Sequence, residues 1–207
     1  MAAEPAWRAT LRGLFSLLPV FSVPFLLVLY RDSSVWPAVL AYHALCWIVI
    51  LTSRGSLQNA GFSAGHSQGW LRRALLLSLA LVAAGELVRY LVLIQVVRPW
   101  WEHVLRLMQP WKWYVIYSLA VNPITEEVYW RGFLLNRMGI ARNAWLFWLF
   151  HAATVMVFTE PFRAIWFTLP VLAFGFVCAW MRREYGTLWP CILVHLAADA
   201  AILRGAG

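Results

Sequence analysis

Glu126, Glu127 and Asp199 stand in stretches of the chain that are otherwise almost wholly apolar. Three pairs spaced i to i+4 go with them: Glu127 with Arg131, Phe147 with His151, and His195 with Asp199. An ionisable group at membrane depth costs about 2.5–3.5 kcal/mol by insertion scales, so such residues persist where they have a task. A carboxylate base beside imidazoles that donate, accept or hold a proton near neutral pH is equipment for activating water. Adjacent helix positions differ by about 100°, so Glu126 and Glu127 face different ways, while Glu127 and Arg131 stack one turn apart. Glu127 is therefore the salt-bridge partner, and Glu126 is left to point into the protein. Asp199 lies one turn beyond His195 and is expected to orient it, and Phe147 packs beside the His151 imidazole. Asn122 and Pro123, one turn before the glutamates, are expected to open the helix backbone, because proline removes a hydrogen bond.

The elements that must position these residues follow from composition. Of 207 residues 62% are hydrophobic and 13% charged, with a mean hydropathy of +0.68, values outside the range of soluble domains. The chain is expected to be an all-α, polytopic transmembrane helical bundle, because backbone amides in lipid must be bonded internally and no alternating strand pattern is present. Seven apolar windows approach the length of about 20 residues that a bilayer requires. They run over residues 14–30, 35–52, 74–97, 113–138, 144–158, 164–181 and 187–203. Residues 53–69 form a polar loop, and the whole of 1–207 is expected to be one membrane domain with its catalytic half at about 113–203. Fourteen Trp and seven Tyr suit the two water boundaries.

Charge and cysteine usage exclude other classes. The net charge of +8 comes from basic residues scattered through short loops and not from one stripe, which argues against nucleic acid. Arginine bias orients the chain. With the N-terminus cytoplasmic, Arg8, Arg12, Arg54, Arg72, Arg73, Arg137, Arg142, Arg182 and Arg183 lie inside. Arg31, Arg98, Arg106, Lys112, Arg163 and Arg204 then lie outside. Small size and short loops suit a bacterial inner membrane. Cys46, Cys178 and Cys191 lack a C-x-x-C spacing and read as small core residues. Glu86 and Arg89 read as a neutralising ion pair, with Tyr90 in reach of that carboxylate. His43, His66 and His103 have no carboxylate at helical spacing and receive no role.

Glu126-Glu127-x-x-x-Arg131, Phe147-x-x-x-His151 and His195-x-x-x-Asp199, in that order on three hydrophobic segments, resemble the CAAX protease and bacteriocin-processing family, also called the Abi family, of glutamic intramembrane endopeptidases. The resemblance covers about residues 115–200. It implies that Glu126 acts as general base for a water molecule with help from His151. It also implies that His195 and Asp199 support the oxyanion, that Glu127 and Arg131 give structural support, and that no metal or other cofactor takes part. The eukaryotic CAAX-processing branch has asparagine at the last position where this chain has Asp199. Because an anion there would repel an oxyanion, Asp199 is assigned to holding His195 in its tautomer. The implied partners are membrane lipid and a membrane-anchored peptide or protein substrate. Nothing in the residues sets an oligomeric state. Two alternatives stand beside this reading. One is a metal-dependent membrane protease with Glu126, His151, His195 and Asp199 as ligands, weakened by the absence of H-E-x-x-H. The other is a non-enzymatic proton-coupled transporter or immunity protein.

Overall fold

The computed structural model describes residues 11, 13–53, 61–62, 69–88 and 98–204, and of Glu86 and Arg204 among others the backbone alone. Every regular element among them is helical. They are α1 (Leu18–Tyr30), α2 (Trp36–Thr52), α3 (Trp70–Val88), α4 (Arg98–Leu107), α5 (Trp111–Ala120), α6 (Asn122–Glu127), a π-helical turn (Val128–Leu134), α7 (Leu135–Met156), α8 (Pro161–Tyr185) and α9 (Trp189–Arg204).

These helices bury one side and leave the other apolar. On α2, Ala38, Tyr42, Cys46 and Val49 recur at helical spacing and are buried, while Leu40, Ile48 and Leu51 on the opposite side are exposed. A water-facing helix would carry charges on that outer side. Similar exposed hydrophobics, such as Phe21, Phe25, Leu79 and Trp166, mark the outer sides of α1, α3 and α8. Among the described residues α8 is the one helix both long and apolar enough to cross a bilayer, and α1, α2 and α9 are apolar but shorter. The all-helical expectation therefore holds, whereas the length criterion does not return seven spans. Much of the 53–69 loop, and the Glu86–Arg89 pair expected on side-chain grounds, lie outside the described residues.

The largest departure falls on residues 113–138, expected as one helix. Pro123 has no N–H for the carbonyl one turn back, and the helix is interrupted at Val121 (φ −104°, ψ −45°) between α5 and α6. Directly after Glu127 the backbone loosens to π geometry for seven residues, every one buried. A π turn inserts an extra residue into the helical register and re-aims the side chains beyond it. α7 then breaks at Gly139, whose φ of 77° and ψ of 173° no β-carbon residue adopts at ease. Breaking a helix strands carbonyls, and side chains cover them here. Asn136 Nδ2 donates to the Gly132 carbonyl, Arg137 Nη1 to Phe133 and Arg183 Nη2 to Leu135. Asn143 Nδ2 reaches the Trp130 carbonyl at 2.9 Å.

The helix α4 falls between the apolar windows. Its Val104 and Leu107 are buried and Glu102 and Arg106 are exposed. Its last carbonyl, that of Leu107, accepts the Val35 N–H at 3.1 Å and so ties it to the start of α2.

Packing around the site is closest between α7 and α8. A β-carbon on Gly175 would lie 3.3 Å from the Ala144 Cα and 3.4 Å from the Phe147 ring. Small residues let helix backbones approach this closely in membranes. Gly175→Leu is therefore expected to destabilise the fold by about 1–3 kcal/mol through overpacking, whereas Gly13→Ala, with nothing within 4 Å, should leave it unchanged. Thermal loss of helical circular dichroism in detergent measures both.

Candidate active site

The chain interruption at Val121 and the π turn after Glu127 bracket a six-residue helix, α6, whose inner side carries Thr125, Glu126 and Glu127 while Ile124 faces out. Glu126 is 3% exposed and Glu127 is fully buried. α6 packs against α2 and α9, so residues from both approach the glutamates.

Glu127 is the hub. Its Oε1 accepts Arg131 Nη1 at 3.0 Å and His195 Nδ1 at 2.8 Å. The pair with Arg131 is the one expected from spacing, and both side chains are wholly buried. The Arg131 guanidinium carbon lies 4.1 Å from the Phe147 ring centroid and 5.7 Å from that of Phe174. An aromatic face compensates a weakly hydrated guanidinium better than it would an ammonium. Phe147 thus has a place beyond packing on His151, whose ring centroid is 4.3 Å away.

The bond from Glu127 corrects the assignment made for Asp199. The carboxylate that fixes the His195 tautomer is Glu127, because it takes the Nδ1 proton and leaves Nε2 as the working nitrogen. Asp199 Oδ1 and Glu126 Oε2 each stand 3.7 Å from that Nε2, beyond hydrogen-bond range. Asp199 takes its hydrogen bond from Asn122 Nδ2, at 3.0 Å through Oδ2. The edge of the Phe174 ring closes the remaining side of His195.

His151 donates Nδ1–H to the Phe147 carbonyl at 2.8 Å, one turn back on α7. Its Nε2 is therefore the acceptor. His151, Glu126, Asn122 and Asp199 line one cavity of about 290 Å³, whose remaining wall includes Leu27, Val39, Val155, Phe158 and Ile202. The Tyr42 hydroxyl, on the same cavity wall, accepts the Trp130 indole N–H at 2.9 Å. Glu126 Oε2 is buried with no hydrogen-bond partner among the described residues. Orphaning a buried polar atom costs about 1–3 kcal/mol, and reactive groups are among the few that carry that cost.

All seven residues singled out in the sequence, Glu126 and the three spaced pairs, meet around this cavity or directly behind it. His43, assigned no role, belongs there too. It lines the cavity and its Nε2 lies 3.0 Å from Asn122 Oδ1. His66 lies outside the described residues. Among the described residues the ligand-type side chains within 4.8 Å of one another are Glu127, Cys178 and Cys191, not the set of Glu126, His151, His195 and Asp199. Glu127 Oε1 there already serves Arg131 and His195, and the Cys191 thiol donates to the Cys178 carbonyl at 3.1 Å. These donors oppose a cation in that place, and the cysteines read as core.

No curated protein and no solved structure matches the chain. Residues 108–201 match the family model described as type II CAAX prenyl endopeptidase Rce1-like. That stretch begins just before α5 and ends within α9, so it holds every one of the seven motif residues. Through residues 108–201 the chain is similar to the Rce1-like CAAX endopeptidases, a membrane-embedded branch of the CAAX protease and bacteriocin-processing family.

Proposed function

We propose that the chain is a glutamic intramembrane endopeptidase that hydrolyses a peptide bond in a membrane-associated protein or peptide, with Glu126 as general base. The observation that carries this reading is one cavity that holds an orphaned, buried Glu126 oxygen, the acceptor nitrogen of His151 and the neighbourhood of His195 Nε2. Glu126 takes a proton from water as the oxygen attacks the scissile carbonyl, and His151 Nε2 accepts a second hydrogen bond from that water. Among the carboxylates of Glu127, Glu126 and Asp199, His195 works as the doubly protonated imidazolium, which donates Nδ1–H to Glu127 and presents Nε2–H to the developing oxyanion. Preorganised donors in a water-poor site are worth far more than in bulk water. Glu127 and Arg131 hold the imidazole in place and do not touch the substrate.

The apolar cavity wall suits a substrate that arrives from the bilayer beside its scissile bond. The chain is read as sitting in a cell membrane, a bacterial one, with a cytoplasmic N-terminus; the exposed apolar sides of α1, α2, α3 and α8 support the membrane. Its partners in this reading are lipid and a membrane-anchored peptide or protein.

Mass spectrometry of peptides from membranes with and without the chain tests the reading. A defined set of new termini on membrane-anchored proteins is expected, lost in His151→Ala by about 10²-fold or more, the usual contribution of one acid-base group. Proton flux through liposomes without any cleavage would replace the protease by a transporter.

A further inference from the structure

Behind Asp199 runs a second line of polar side chains that none of the family motifs contains. It begins at Tyr117 on α5, passes through His43 on α2 and Asn122 on α6, and ends at Asp199 on α9. Four helices contribute one group each.

The donors and acceptors of this line have one consistent assignment. Asp199 has only acceptors to offer, so Asn122 turns its NH₂ towards it and its carbonyl oxygen the other way. That oxygen needs a donor, so His43 carries its proton on Nε2, 3.0 Å away. His43 Nδ1 is then the bare nitrogen, and the Tyr117 hydroxyl donates to it. Every donor points the same way, towards the Asp199 carboxylate. Successive bonds aligned head to tail polarise one another, which strengthens the last bond on the anion. His43 is 4% exposed, so water competes little for these bonds.

We propose that Tyr117, His43 and Asn122 are positioning residues that act through Asp199. Their one-way chain pins Asp199 Oδ2, which holds the Oδ1 charge 3.7 Å from His195 Nε2, too far to accept its proton but near enough to act on it electrostatically while Glu127 sets the ring's orientation. The inference rests on the proposed role of His195 as the oxyanion donor. It assigns to His43 a function that its position in the sequence gives no hint of.

The test uses the full chain, isotopically labelled at histidine nitrogen, in phospholipid nanodiscs. The chain has five histidines, so single substitutions assign each ring. The wild type is expected to show His43 as the Nε2–H tautomer, and His43→Leu to shift the His195 ring-nitrogen signals. Tyr117→Phe, which removes one oxygen and spares the packing, should shift them in the same direction by less. His43→Gln restores a donor near the Nε2 position and should bring them back. A role in packing alone predicts neither the graded response nor the rescue. Unchanged His195 signals in both His43→Leu and Tyr117→Phe would overturn the proposal, as would an Nδ1–H tautomer at His43.

These spectra need no substrate, so they stand or fall apart from the proteolytic reading, which is lost if no peptide is cut. On a fluorogenic prenylated CAAX peptide, kcat for His43→Leu is expected to fall about tenfold with KM within about twofold. That split is the signature of an interaction realised in the transition state and not in substrate binding. A raised KM at unchanged kcat would place His43 in the substrate site and contradict a positioning role.

Discussion

Glu126→Gln is expected to lower peptide cleavage by about 10³-fold or more while leaving insertion and thermal stability unchanged. General-base groups contribute about 10²–10⁴-fold. The substitution keeps shape and burial and removes only the capacity to take a proton. It does not strand a charge, because the Oε2 atom it alters has no hydrogen-bond partner among the described residues to lose. The amide also spares the Glu127–His195 and Glu127–Arg131 bonds, which do not involve Glu126. Glu126→Asp sharpens the test. It keeps a base but retracts it by one methylene, and a displacement of about 1 Å from the reacting atoms costs about 10²-fold. The expected order is therefore wild type, Asp, Gln, read from the yield of mapped cleavage products at equal folded protein. Cleavage by the Gln variant above a tenth of wild type would assign the base elsewhere, with His151 first in line.

The residues of this site were legible in the sequence to the extent that their partners are local. Glu127 with Arg131 needs only one helical turn, and the structure has that pair at 3.0 Å. The convergence of the glutamates with His195 and His151 followed from comparable depth in separate apolar segments. What spacing could not supply is which atom meets which. His195 has a carboxylate one turn away on its own helix, yet its Nδ1 bonds to Glu127, 68 positions earlier. His43 has no carboxylate at helical spacing, and its partners Tyr117 and Asn122 are 74 and 79 positions away. Long-range pairs of this kind leave no periodic trace in one sequence.

Hydropathy failed in an instructive way at residues 113–138. A window average registers apolar content and is blind to hydrogen-bond register, so the stop at Val121 and the π turn at 128–134 vanish inside one long apolar run. Pro123 was the visible sign of the first. Nothing local announces the second, because every one of its seven residues is compatible with an α-helix and the turn is set by what surrounds it. α4 was missed for the opposite reason. Its composition is too mixed to register as a membrane window, and only its docking on Val35 and the burial of Val104 and Leu107 give it a place.

Arg131→Met is expected to be the most destabilising single change in the site, by about 3–5 kcal/mol, and to abolish activity as well. The guanidinium is fully buried, and its removal leaves the Glu127 carboxylate with His195 as its remaining hydrogen-bond partner among the described residues. Breaking a buried ion pair on one side leaves an uncompensated charge at about that cost. Glu127→Leu should cost a similar amount by stranding Arg131 between Phe147 and Phe174. The double variant Glu127→Leu/Arg131→Met separates stability from chemistry. Replacing both partners of a buried pair with apolar groups is often close to neutral, so the pair should recover at least about 2 kcal/mol relative to the sum of the singles, a coupling of the size that contacting residues show. Activity should not return, because His195 Nδ1 has lost the acceptor that orients it. Reversible unfolding in mixed micelles measures the coupling, and product mapping measures the turnover. Recovery of both together would mean that the ion pair serves the fold alone and that His195 is positioned by something other than Glu127.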